Sequence, residues 1–202
     1  MWDGEESVQR QVGRGRSGDF RDAYVYQETE GGGTTWYMLI CSASTSSAGG
    51  TALLYTTDST KTDYFHNWDY KGQLYTMPNQ PAMYGETWEL PVLFPIENEA
   101  GTTQKWFFAF SPAPADRADN DIYYLLGDFD GERFIPETGF GEPRRLDYGN
   151  NVFTGPSAFR DPVSGTWYIV STTTDQAPAN AQISSVAAHP AGPAAVPRCR
   201  AS

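Results

Sequence analysis

Trp88-Glu89-Leu90-Pro91-Val92-Leu93-Phe94-Pro95-Ile96 is a short apolar run with one carboxylate set into it. Its length and its aromatic and β-branched content read as a mostly buried β-strand. Inside such a strand Glu89 would lose hydration, which disfavours the charged form and suits a general acid. The competing reading is an outward-facing glutamate on a half-buried strand, and the run alone does not separate the two.

Working outward, the run belongs to a repeated pattern. A polar turn at residues 97–105 leads into Trp106-Phe107-Phe108-Ala109-Phe110-Ser111, and residues 112–120 lead into Ile122-Tyr123-Tyr124-Leu125-Leu126-Gly127. The same order precedes it. Phe20-Arg21-Asp22-Ala23-Tyr24-Val25-Tyr26 runs through a glycine turn into Trp36-Tyr37-Met38-Leu39-Ile40-Cys41, followed by strand signals at residues 51–55 and 68–72. A third pass opens at Asn151-Val152-Phe153 and enters Trp167-Tyr168-Ile169-Val170-Ser171. The tryptophan-led strands begin at 36, 106 and 167, a spacing of 70 and then 61 residues. Four strands at a roughly constant period mark a β-propeller, whose blades are four-stranded sheets around a channel.

Composition agrees with an all-β chain. Aromatics are 14% of the 202 residues, with 20 Gly and 14 Pro, which favours aromatic-rich strands joined by tight turns. A net charge of -11 argues against nucleic acid or an anionic membrane surface as partner and suits a protein handling neutral ligands such as sugars. No apolar stretch is long enough to span a membrane, and residues 1–16 lack the apolar core of a signal peptide, which leaves localisation open, as is the oligomeric state. Gly13-Arg14-Gly15-Arg16-Ser17-Gly18 spells a dinucleotide-binding glycine pattern but lacks a preceding strand and a following helix, so a flexible lead-in is expected over residues 1–19. Cys41 and Cys199 read as free thiols. His66 and His189 stand alone, and Asp128 and Asp130 read as turn residues rather than a calcium loop, so neither a metal nor a cofactor is expected.

Phe20-Arg21-Asp22, Trp88-Glu89-Leu90-Pro91, the segment from Tyr123 to Phe134 and Leu146-Asp147-Tyr148-Gly149, in that order, resemble glycoside hydrolase family 32, the invertases, levanases and inulinases. The resemblance implies a five-bladed β-propeller; the repeat makes it a partial one here, of roughly three blades at residues 20–76, 84–140 and 147–176, and the Ala- and Pro-rich composition of 177–202 reads as a disordered tail. It implies retaining hydrolysis of β-fructosides, with carboxylates about 5 to 5.5 Å apart across the scissile bond. Glu89 matches the acid/base and Asp22 the stabiliser of the oxocarbenium-like transition state. Arg21 would hold carboxylates and sugar by charge-assisted hydrogen bonds. Asp147 and Tyr148 would line the pocket, with a hairpin turn as the alternative, and Trp88 would wall a sugar ring, with a core role as the alternative.

Three departures qualify the match. The family's nucleophile sits in an Asn-Asp-Pro tripeptide, which this sequence lacks, so the chain is expected to be an inactive piece of a larger enzyme. Ala23 and Leu90 replace the usual proline and cysteine. Phe159-Arg160-Asp161-Pro162 spells the Arg-Asp-Pro motif better than residues 20–23 do, but it follows Glu89 and reads as a turn. The alternatives are an arabinanase- or xylosidase-like propeller and a non-catalytic sugar-binding one.

Overall fold

The structure, a computed structural model, describes residues 19–44, 49–77, 84–97, 101, 104–113, 121–148, 152–174 and 181–188. Residues 1–18 of the lead-in expected over 1–19, together with Cys199 and His189, lie outside them. The described residues form three antiparallel sheets. The first is a meander of β1 (Arg21–Glu30), β2 (Gly33–Ala43), β3 (Gly50–Asp58) and β4 (Asp69–Thr76). The second runs β5 (Thr87–Glu97), β6 (Gln104–Ala113), β7 (Tyr123–Phe129) and β8 (Phe134–Pro136), with β9 (Arg144–Arg145) pairing the start of β7. The third is β10 (Val152–Arg160), β11 (Trp167–Thr174) and β12 (Ala181–Ala188). Within the expected tail over 177–202, residues 181–188 form a strand, and the rest of it lies outside the described residues. The alanine-rich segment has little β propensity of its own, and its strand is made by backbone pairing along the open edge of β11.

The sheets stack in chain order, with β5 packed against β1 and β2 on one side and against β10 on the other. One core lies between the first two sheets, where Leu39, Cys41, Leu54 and Leu74 meet Trp88, Phe108 and Phe110. A second lies between the next two, where Val92, Phe94, Phe107 and Ala109 meet Ile169. Both faces of the second sheet are covered, which is why β6 reads as an unbroken apolar run.

Strand register makes the repeat literal. Trp36 lies opposite Gln27, Trp106 opposite Pro95 and Trp167 opposite Arg160. Each of these partners lies six residues beyond Arg21, Glu89 and Thr154 respectively. The second and third tryptophans bind each sheet to the one before. Trp106 meets the Tyr26 ring edge-on at 5.4 Å, and Trp167 stacks on Phe94, the matching residue of the next sheet, at 4.6 Å. Trp36 stacks instead on Tyr64, at 4.5 Å, in the single turn of 3-10 helix at Tyr64–His66. The result is a partial β-propeller of three blades.

Candidate active site

Each blade's first strand is interrupted at the same place. Pairing of β1 with β2 skips between Arg21 and Tyr24, that of β5 with β6 between Glu89 and Val92, and that of β10 with β11 between Thr154 and Ser157. In all three, an extra residue is accommodated by a left-handed backbone at the second position: Asp22 at φ 60°, Leu90 at 51° and Gly155 at 67°. A bulge of this kind bends the strand and re-aims its side chains. The proline at Pro91 and Pro156 fits because a bulged residue has no ladder N–H to give.

The first two bulges bring their charges together. Arg21 Nη2 lies 2.9 Å from Glu89 Oε1 across the boundary between blades, the two side chains being 43% and 31% exposed. At that exposure the pair contributes little to stability, so its importance is positional. Glu89 is therefore a half-open, cation-paired carboxylate, the outward-facing one of the two readings that the run left open, because the bulge turns it out of the sheet's packed faces. Asp22 follows Arg21 in the same bulge. Beneath it lies the Cys41 thiol, directly opposite Arg21 in the ladder and fully buried. Burial pushes that thiol up, the Asp22 and Glu89 charges push it further, and Arg21 opposes them. Ser111 occupies the matching position opposite Glu89, and its Oγ accepts the Gly155 N–H at 3.0 Å, tying the third bulge to the second blade. Sequence reading took Cys41 only as a free thiol and passed over Ser111 and the third bulge; the recurring residue–Pro pairs at 90–91 and 155–156 were the available signal.

The other sequence candidates fall as follows. Of the two readings of Trp88, wall of a sugar site or core residue, its burial supports the core one. It is 0% exposed, stacks on Phe110 at 3.9 Å, donates from Nε1 to the Tyr84 carbonyl at 3.0 Å and leaves no face for a ligand. Asp147 is half-buried and Tyr148 is 71% exposed, with the Arg145 guanidinium 5.7 Å from its ring. Both follow β9, which pairs with Tyr123 and so lies at the end of the second sheet that carries Glu89. Asp161 caps the β10–β11 turn, accepting from Val163 N–H at 2.9 Å and Ser164 Oγ at 2.6 Å. Asp130 caps a turn in the same way through the Glu132 and Arg133 amides, and Asp128 pairs with Lys105. His66 is not alone: its Nδ1 lies 2.8 Å from Asp63 Oδ1 on the exposed 3-10 turn. Among the described residues no group of three or more His, Cys, Asp or Glu is placed to hold a metal ion.

Arg21 and Glu89 thus meet across the first two blades of a partial propeller, the architecture of a class of glycosidases. Residues 3–189 match the family model of the glycosyl hydrolases family 32 N-terminal domain, and the chain belongs to that family. Solved structures agree in fold. A variant fructofuranosidase from Schwanniomyces occidentalis, complexed with fructosylnystose, superposes with a TM-score of 0.59 at 17% identity over 87% of this chain and 36% of its own. The same organism's fructofuranosidase complexed with fructose gives 0.57 at 16% identity over the same shares, 87% and 36%. A Bifidobacterium bifidum s17 protein provisionally named an exo-beta-1,3-galactanase gives 0.52 at 17% identity over 80% of this chain and 47% of its own. Comparison with curated protein sequences gave no match. The chain thus spans about a third of the length of the fructofuranosidases it resembles in structure.

Proposed function

We propose that this chain carries the acid/base and transition-state-stabilising half of a retaining β-fructosidase site, acting on terminal or internal fructosyl linkages of the sucrose, levan or inulin type. The observation that carries the reading is the 2.9 Å contact of Arg21 with Glu89 across the blade boundary, with Asp22 in the same bulge as Arg21. In this reading Glu89 donates a proton to the departing glycosidic oxygen and later takes one from water. Asp22 binds sugar hydroxyls and faces the positive charge that develops at the anomeric carbon. Arg21 keeps Glu89 on the rim and ready to exchange its cation for substrate. Asp147 and Tyr148 approach from the same end of the second blade and bound the sugar. The sequence has no Asn-Asp-Pro tripeptide, so the covalent step lacks its nucleophile and the chain binds fructosides without turning them over.

Calorimetry on the purified 202-residue chain tests this reading. Saturable fructose binding is expected, weakened tenfold or more, on the order of one lost charge-assisted hydrogen bond, by Asp22→Asn. Fructose binding indifferent to Asp22→Asn, or binding of arabinose alone, overturns the assignment. Release of fructose from sucrose, levan or inulin, abolished by Glu89→Gln, overturns the absence of turnover.

A further inference from the structure

Leu90 is an anomaly that neither packing nor the acid/base assignment explains. It holds φ at 51°, a left-handed conformation in which the Cβ of an ordinary L residue is crowded against its own backbone. It is also 40% exposed, an unusually large share for an apolar side chain in a strand whose neighbours are mostly buried. Burial therefore offsets the backbone cost only in part. Its counterparts in the other bulges need no such justification: Asp22 is a residue type that tolerates this conformation, and Gly155 adopts it freely. Glycine at position 90 would remove both penalties at once.

Strain of this kind persists where a site uses the side chain. We propose that Leu90 is a substrate-contacting, specificity-determining residue, set beside Glu89 at the bulge position that Asp22 occupies in the preceding blade, and that it covers the C–H face of a sugar bound over the Arg21–Glu89 pair. The inference rests on reading that pair as a saccharide site. A sugar ring presents hydroxyls around its edge and C–H groups on its faces, so a site built only of Arg21, Asp22 and Glu89 would grip the edge alone. The exposed leucine supplies the apolar contact that the fully buried Trp88 cannot. It also shields the acid from water on that side once a ligand is seated.

The test pairs stability with affinity in the same variants. Leu90→Gly, and Leu90→Asn as a second variant that tolerates the left-handed backbone, are expected to raise the melting temperature by about 2–4 °C, the shift that release of such strain gives in a chain of this size. Both are expected to weaken sucrose binding about five- to tenfold by calorimetry. A melting temperature that falls in both variants would identify Leu90 as a packing residue and overturn the proposal. So would a raised melting temperature with sucrose affinity unchanged, which leaves strain without a sugar contact. Sucrose binding that survives Leu90→Gly but is lost in Glu89→Gln overturns this inference and leaves the site reading standing. No sucrose or fructose binding by the unsubstituted chain overturns the site reading and this inference with it.

Discussion

At Gly50 the backbone passes so close to the Trp88 indole that a Cβ there would lie 2.3 Å from Cδ1. The ring cannot retreat, because Phe110 stacks on it and the Tyr84 carbonyl holds its Nε1. Gly50→Ala is accordingly expected to destabilise the chain by about 3 kcal/mol, the upper range for overpacking a closed core. Urea unfolding would measure it, and a midpoint within error of the unsubstituted chain would disprove the close fit. Cys41 supports a chemical prediction at the same scale. It is fully buried, and burial together with two nearby carboxylates pushes its thiol up. Since the thiolate is the reactive form, a thiol reagent should label Cys41 only as fast as the chain opens. Mass spectrometry of the digested protein separates it from Cys199, and prompt labelling of Cys41 in the folded state would contradict its burial.

At the scale of the element, the three bulges join neighbouring blades as well as shaping the site. Ser111 Oγ is the acceptor for the Gly155 N–H, and Ser111 itself is buried. Ser111→Ala would remove that acceptor from a part-buried amide and should cost about 1 kcal/mol, the net worth of one hydrogen bond. Ser111→Thr, which keeps the hydroxyl, should recover most of it; equal losses in both would point to a steric cause. The strands themselves were readable because Trp36, Trp106 and Trp167 open runs of strand-forming residues at near-constant spacing. The short β9 and the alanine-rich β12 were not readable. Their pairing is supplied by the edges of β7 and β11, and an edge donates hydrogen bonds to whatever backbone lies beside it.

For the molecule as a whole, acid is the informative stress. Asp58, Asp130 and Asp161 each cap a turn, and each is held below the usual aspartate range. The first-ranking causes are the Thr60 hydroxyl for Asp58, the Arg133 amide for Asp130 and the Ser164 hydroxyl for Asp161. A carboxyl whose folded value is lowered stabilises the fold fully above its ordinary value of 3.8 and loses that contribution as pH falls through the lowered value. The melting temperature should therefore drop across that window. Asparagine at all three positions keeps the turns' acceptor oxygens without the titration and should flatten the slope. An unchanged slope would place the acid sensitivity elsewhere. By itself the sequence determined the all-β class, the blade repeat and the family, because strand alternation, turn residues and motif order are local properties that survive in one dimension. It also singled out Glu89 and Asp22 as candidate carboxylates. Only the tertiary structure decided that Glu89 is open and paired with Arg21, that Trp88 belongs to the core, and that Leu90 stands exposed on a strained backbone. Those facts turn on which face a bulge presents and on what the neighbouring blade covers, and both are set by packing between sheets that lie far apart in the chain.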